Sequence, residues 1–324
     1  MIVVALTSFA GIFSRWFVVG FFLPIFFGCV GLDQMSHGAL IPKEDRGGET
    51  RMLVYGGVAV LLGLLLTATY ARVIMLFCGH WIPGPLAARR RQKWINKRNA
   101  LAERIRDLDR RLPSTEGNAR GRLEVKLHRY RETYDQLPPE DHWIEPTKFG
   151  NALGLGGSRL HKQFGLNLLF VWPALEAIVP EDQRQLELQA RTDTAFAVNG
   201  ALAAGGVAAL ALGNMVFAGH WSYRPLGVAG GMVIAGLLYL EACDKALRWV
   251  AETQYALVSV HWLELCDRLG TARPGNESTE ERRRAAKALG VLLHADEGND
   301  QAATRSVPQP AERRLDLLKS DARR

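Results

Sequence analysis

Apolar residues occur along this chain in four long runs, and most charged residues lie between the runs. The runs extend over about 16–32, 53–71, 194–218 and 225–243. A stretch of roughly 20 apolar residues crosses the hydrocarbon core of a bilayer as an α-helix. The pattern therefore predicts an all-α, polytopic membrane protein with four transmembrane helices.

The first run is the shortest and contains a proline. Pro24 is expected to kink the helix, because proline has no backbone N–H and clashes with the preceding turn. A cleaved signal peptide is the alternative, but only Arg15 flanks the run and no small-x-small cleavage site precedes Asp33. We therefore favour a retained anchor. Residues 1–14 are also apolar and are expected either to insert or to lie at the interface.

Six residues separate the third and fourth runs, which predicts an antiparallel transmembrane hairpin over 194–243. Both runs carry small residues at helical spacing, which permits close helix contact. These residues are Gly200, Ala204, Gly205, Ala209, Gly213, Gly227, Gly231 and Ala235. Two interpretations stay open: the small faces pack within the hairpin alone, or a second face also joins copies of the chain into a homo-oligomer.

The basic residues nearest the runs indicate the orientation. Between Arg89 and Arg111, directly after the second run, the sequence has ten Lys and Arg residues and three Asp and Glu residues. Such an excess is typical of the cytoplasmic side, so both termini and residues 79–193 are expected in the cytoplasm. The net charge of +7 is then mainly a topology signal. Nucleic acid is not an expected partner, because no aromatic-interleaved basic stripe or recognition motif accompanies the charge.

The water-facing parts are also expected to be helical. Apolar positions at helical spacing predict a helical hairpin at 93–137, and residues 143–182 form a distinctive motif segment. The periodicity of the fourth run continues past its apolar part, so one long helix is expected to extend into the cytoplasm over 244–270. The predicted organisation is two membrane helices (1–78), a cytoplasmic helical region (79–193), the membrane hairpin (194–243), the extension (244–270), and a short helix with a disordered tail (271–324).

The motif segment supplies the first set of candidate interaction residues. Pro146 and Thr147 suit the start of a helix, and Pro173 suits a helix start or a turn. Gly154, Gly156 and Gly157 indicate a flexible turn; a phosphate-binding loop is the weaker alternative, because the Lys-Ser or Lys-Thr of a P-loop is missing. The candidates are Pro146, Thr147, Gly150, Asn151, Gly165, Trp172 and Pro173.

A second set of candidates is polar and lies in or beside the membrane runs. Asn199 and Asn214 fall within the third run, and Glu241 and Asp244 lie where the fourth run ends. They suit either a polar pathway or hydrogen bonds between helices, and for the two asparagines we favour the second role.

Four strings resemble, in order and spacing, a group of bacterial four-span integral membrane proteins. They are Pro-Thr-Lys-Phe-Gly-Asn (146–151), Phe-Gly-Leu-Asn (164–167), Val-Trp-Pro-Ala-Leu (171–175) and Tyr-Ala-Leu-Val with His-Trp-Leu-Glu-Leu (255–265). The group's versions run P-T-x-L-G-N, Y-G-L-D, W-P-x-L and F-D-L-H-R. The chain departs from the group at Asn167 and around Trp262. The resemblance implies a four-span architecture in the bacterial plasma membrane, and the group has no established activity.

The chemistry-bearing residues do not indicate an enzyme. The eight His and four Cys show no metal-binding or nucleophile motif, so no catalytic, cofactor-binding or metal-binding residues are predicted. The expected partners are the lipid bilayer and a cytoplasmic protein. The favoured hypothesis is a membrane-anchored interaction or scaffold protein with a cytoplasmic helical platform. The alternative is an oligomeric ion channel or pore gated by its cytoplasmic region.

Overall fold

A computed structural model describes residues 14–35, 48–164, 168–218 and 224–268, and all regular structure in these residues is helical. The α-helices are α1 (Arg15–Phe17), α2 (Leu23–Met35), α3 (Gly48–Ala68), α4 (Tyr70–Cys78), α5 (Gly84–Arg111), α6 (Gly117–Asp135), α7 (Lys148–Phe164), α8 (Leu168–Glu176), α9 (Glu181–Ala218), α10 (Arg224–Ala246) and α11 (Tyr255–Arg268). Two π-helical stretches, Val18–Phe22 and Leu247–Gln254, join α1 to α2 and α10 to α11. The predicted interfacial residues before Ser14 and the predicted short helix and tail at 271–324 lie outside the described residues.

Four helices in the described part of the chain are long and apolar enough to cross a membrane. They are Arg15–Asp33, Thr50–Ala68, Glu181–Gly213 and Pro225–Arg268. Large apolar side chains such as Leu53 and Leu226 point outward from these helices, with exposed fractions of 75% and 78%. An outward apolar surface of this kind suits a lipid surrounding.

The chain divides into two compact units. The larger lies within Met1–Leu160 and Val179–His261 and contains the bundle, while the smaller lies within His161–Ile178 and Trp262–Arg324. In the smaller unit the rings of Phe164 and Trp262 pack with their centroids 5.3 Å apart.

In the larger unit, an interruption in the first helix is compensated by a neighbouring helix. Pro24 has no N–H to donate to the carbonyl of Gly20 four residues earlier, and the chain winds as a π-helix over Val18–Phe22. Asn199 on α9 is completely buried and donates its Nδ2 hydrogen to the Gly20 carbonyl at 2.7 Å. A side chain of one apolar helix thereby satisfies a backbone group of another.

Close approach of helices depends on small residues, among them the predicted Gly231 and Ala204. A Cβ added to Gly231 on α10 would lie 3.0 Å from Ala208 Cβ and 3.2 Å from the Ala204 carbonyl on α9. A Cβ on Gly28 of α2 would lie 3.2 Å from Ala203 Cβ, on the same helix α9. Small residues of α9 therefore allow close packing with both α10 and α2 within the chain. Contacts between copies of the chain stay a prediction.

We expect Asn199→Leu to lower the free energy of unfolding by about 1–2 kcal/mol, because the buried Gly20 carbonyl loses its donor. In a Pro24→Ala background, residue 24 has an N–H for that carbonyl, so the same substitution should cost less. Chemical unfolding of the four proteins in detergent micelles measures the coupling. Equal losses of unfolding free energy in both backgrounds would show that Asn199 does not compensate for the missing N–H of Pro24.

Candidate functional site

Residues 138–151, called here the motif turn, pack at the end of the bundle where α4 ends and α5 begins. One face of α5 holds this turn through side chains spaced three and four residues apart. Arg91 pairs with Glu145 at 2.9 Å, and Trp94 Nε1 donates to the Pro146 carbonyl at 3.4 Å. These contacts lie on the helix that begins at Gly84, whereas the apolar pattern predicts a start at Lys93.

Arg98 completes this face of α5 and is nearly buried, with 8% of its surface exposed. Its guanidinium donates to the carbonyls of Pro138 and Pro139 at 3.2 and 2.8 Å and pairs with Asp141 at 2.5 Å. Prolines break regular hydrogen bonding, so the carbonyls around them take partners from elsewhere; Pro138 is buried and Pro139 is exposed. Arg98 supplies these partners and positions the motif turn on α5.

Thr147 joins the motif turn to the end of α4. Its hydroxyl donates to the Phe77 carbonyl at 2.7 Å and accepts from the N–H of Gly150 at 3.0 Å, three residues into the helix. The second contact is a helix N-cap, which satisfies one of the free N–H groups of the first turn. One hydroxyl therefore starts α7 and ties it to the last turn of α4.

Gly79 ends α4 in the left-handed conformation, with φ of +92°. A Cβ at this position would lie 2.8 Å from Pro146 Cγ and 2.9 Å from Thr147 Cγ2. Both the backbone angle and the packing therefore require glycine at the point where the motif turn meets α4.

Asn151 is the most deeply buried polar residue of the motif turn, with 1% of its surface exposed. Its Oδ1 accepts the N–H of Glu145 at 2.8 Å, which fixes the orientation of the amide. Its Nδ2 has no hydrogen-bond partner among the described residues. The amide oxygen of Asn151 therefore closes the turn, and its amide nitrogen remains available as a donor.

The glycines of the motif segment lie inside α7, so the predicted flexible turn at Gly154, Gly156 and Gly157 is wrong. Each allows close approach of a neighbour. An added Cβ would lie 2.4 Å from the Trp143 carbonyl at Gly154, 2.2 Å from Val250 Cγ1 at Gly156 and 2.8 Å from the Trp143 ring at Gly157. Tertiary packing here outweighs the low helix propensity of glycine.

An apolar cluster lies beneath the motif turn. The rings of Phe77 and Phe149 meet edge to face with centroids 5.7 Å apart, and Cys78 and Cys243 are buried in the same cluster. Burial raises the pKa of the Cys78 thiol to about 12, and the Glu145 carboxylate adds to the effect. This thiol therefore stays protonated at neutral pH and suits packing better than nucleophilic chemistry.

The predicted acidic candidates at the end of the fourth run pair with lysines. Asp244 lies 3.4 Å from Lys148 Nζ, and Glu241 lies 3.6 Å from Lys245 Nζ. Lys245 also reaches Asp193 on α9 at 3.4 Å. These exposed pairs contribute little to stability individually. They bring Asp244 next to the motif turn, whereas the partner of Glu241 lies on its own helix.

The other candidates are dispersed. Trp172 is half-buried in α8, and Gly165 and the Asn214 side chain lie outside the described residues. The expectation of a helix start or turn at Pro173 is wrong, because Pro173 lies inside α8, which ends three residues later at Glu176. The structure thus brings Pro146, Thr147, Gly150 and Asn151 together and does not add the others to that group.

Sequence reasoning missed a buried carboxylate on α9. Glu187 is 5% exposed and accepts hydrogen bonds from Trp249 Nε1 at 2.8 Å and Gln254 Nε2 at 3.5 Å. Both donors belong to the π-helical stretch, a geometry that often occurs at functional positions. Extending the buried face of α9 backwards from Val198 by helical steps reaches Glu187, and this was the available signal.

Further buried polar atoms in this region have no hydrogen-bond partner among the described residues. They are Tyr70 Oη, Trp16 Nε1, Arg191 Nε and Gln254 Oε1. The Arg191 guanidinium lies 5.1 Å from the centre of the Trp16 ring, and the rings of Trp16 and Tyr70 lie 6.0 Å apart. Residues of the first, third and fourth apolar helices and of α4 therefore contribute polar atoms to this region.

Within the described ranges, no three His, Cys, Asp or Glu side chains are grouped to hold a metal ion. No protein-family model matches the chain, and no curated protein or solved structure is significantly similar to it.

We expect Gly156→Ala to destabilise the protein, although alanine favours helix by about 1 kcal/mol over glycine. The new methyl group would overlap Val250, and overpacking of this kind typically costs about 1–3 kcal/mol. Thermal unfolding in detergent measures the effect. Gly121→Ala in α6, where an added Cβ meets nothing within 4 Å, is the control and should be neutral or stabilising. Equal behaviour of the two variants would contradict the packing.

We expect Glu187→Leu to lower the free energy of unfolding by about 1–3 kcal/mol, because the buried Gln254 amide and the half-buried Trp249 indole lose their acceptor. Glu187→Gln keeps an oxygen and should cost less. Chemical unfolding measures both, with Glu181→Leu at the exposed start of the same helix as the control. A Gln variant as unstable as the Leu variant would show that charge, and not hydrogen bonding, stabilises the cluster.

Proposed function

We propose that this chain is a membrane-anchored interaction protein of the bacterial plasma membrane. In this proposal the hairpin of α5 and α6 is a docking arm for an acidic surface of a cytoplasmic protein. Both termini and the hairpin lie in the cytoplasm, as the basic residues after the second run favour.

The charge of the hairpin is the observation that carries the proposal. Residues 84–135 contain fifteen Lys and Arg and seven Asp and Glu, a net charge of +8. Since the whole chain carries +7, the remaining residues together are close to neutral. An exposed surface with one dominant sign attracts a complementary surface and speeds its association.

The hairpin combines this exposure with a defined shape. Leu101, Leu108 and Leu127 are its buried apolar side chains. Arg131 of α6 pairs with both carboxylate oxygens of Asp109 on α5, at 2.8 and 2.9 Å. The contacts of Arg98 with the motif turn hold the base of the arm to the bundle. A pre-positioned surface loses less entropy on binding than a flexible one.

Contacts within the chain favour this function over the pore alternative. Asn199 donates to Gly20, and Asp244 and Glu241 pair with lysines. Three of the four polar candidates for a pore lining therefore have partners within the chain, and the side chain of the fourth, Asn214, lies outside the described residues. An ion conductance of the purified protein in planar bilayers would nevertheless favour the pore.

Reversing the exposed charge of the hairpin tests the proposal. Arg106, Arg110 and Arg129 are exposed and lie on both helices of the arm. A photo-reactive residue at Arg122 should cross-link one defined protein in intact cells, and changing the three arginines to Glu should reduce the yield by about tenfold or more. Changing the same three to Lys keeps the charge and should keep the adduct. An adduct that survives the Glu triple, or one with lipid alone, would contradict the proposal.

The same cells test the orientation. A cysteine at Asp45 should react with an impermeant reagent applied outside, and one at Arg120 only after the membrane is opened. External labelling of the cysteine at Arg120 would place the hairpin outside the cell, where a cytoplasmic partner could not bind it.

A further inference from the structure

A small cavity lies at the base of the hairpin, where the first turn of α7 faces α5, α6 and α10. Its volume is about 70 Å³. Pockets for drug-sized ligands are roughly 300–1,000 Å³, so only a small group fits here. The cavity is lined by Trp94, Lys97, Thr133, Gln136, Leu137, Lys148, Asn151, Ala152, Cys243, Asp244 and Leu247.

Asn151 gives the cavity a built donor. The side chain is 99% buried, and its Nδ2 has no hydrogen-bond partner among the described residues. The N–H of Glu145 bonds to the oxygen of the same amide, which fixes the amide orientation and leaves the Nδ2 group as the donor for a ligand. A buried donor without an acceptor is costly, which favours an acceptor group in this cavity.

The charges around the cavity favour an anion. Lys97 and Lys148 provide two ammonium groups against the single carboxylate of Asp244. That carboxylate is 63% exposed and lies 3.4 Å from Lys148 Nζ. Lys148 and Asn151 also belong to the first turn of α7, whose N-terminal dipole favours negative charge. An oxyanion would therefore compete with Asp244 for Lys148 and receive the Asn151 hydrogen as well.

We propose that this cavity binds one phosphate group, held by Lys97, Lys148 and Asn151 and opposed by Asp244. Asp244 directly follows the apolar part of the fourth run, so the group can come from an anionic lipid headgroup or from phosphate in solution. The site does not depend on the partner proposed for the hairpin.

Purified full-length protein in uncharged detergent tests the site. Thermal unfolding is followed while inorganic phosphate is added, with chloride at matched ionic strength as the reference. A second arm uses nanodiscs of phosphatidylcholine with and without phosphatidylglycerol. In each arm the protein is compared with Lys148→Gln, Lys97→Gln and Asp244→Asn. Lys93→Gln removes the same charge from an exposed position of α5 outside the cavity and is the matched control.

The expected result is saturable stabilisation whose midpoint rises about tenfold in Lys148→Gln and Lys97→Gln, falls in Asp244→Asn and is unchanged in Lys93→Gln. This pattern with inorganic phosphate supports a free ligand, and the same pattern with phosphatidylglycerol alone supports a lipid headgroup. Stabilisation by neither probe would overturn the proposal, as would equal losses in Lys93→Gln and Lys148→Gln. The gain expected from Asp244→Asn keeps the test decisive if a lysine variant does not fold.

Discussion

At three places in the described residues where a helix ends or is interrupted, backbone carbonyls receive their hydrogen bonds from a distant part of the chain. In apolar surroundings no water replaces the missing hydrogen bond, and an unsatisfied group costs several kcal/mol. Asn199 donates a hydrogen bond to the Gly20 carbonyl, and Thr147 donates one to the Phe77 carbonyl. Arg98 donates to the carbonyls of Pro138 and Pro139. Each partner comes from a distant part of the sequence, so satisfying the backbone also joins the helices.

The same contacts determine where the hairpin is attached. Arg91, Trp94 and Arg98 use one face of α5 to hold the motif turn, and the other faces remain available to solvent. Thr147 then connects the motif turn to the end of α4, and the glycines of α7 let that helix lie against Trp143 and Val250. The basic arm is in this way tied to the apolar helices by short polar contacts and close packing.

Two polar centres result from this arrangement. At the base of the hairpin, the donor of Asn151 meets two lysines and one carboxylate in a small cavity. Around Glu187, two donors of the π-helical stretch bond to one buried carboxylate. The first centre borders a cavity with excess positive charge and suits a ligand, whereas the hydrogen bonds of the second join two helices and suit stabilisation.

The number of long apolar helices and the continuity of the fourth helix to Arg268 could be predicted from sequence, because run length and helical period are local properties. The start of α7 after Thr147 could also be predicted from the sequence, since an N-cap depends on adjacent residues. The helical state of Gly154 and Gly156 could not be predicted, because it depends on the close approach of Trp143 and Val250. Glu187 was missed for a similar reason: its burial requires the π-helical stretch more than fifty residues later in the chain. The sequence by itself determined which segments are apolar helices, and only the tertiary structure decided which polar groups meet, because hydrogen bonding and close packing depend on distances between helices.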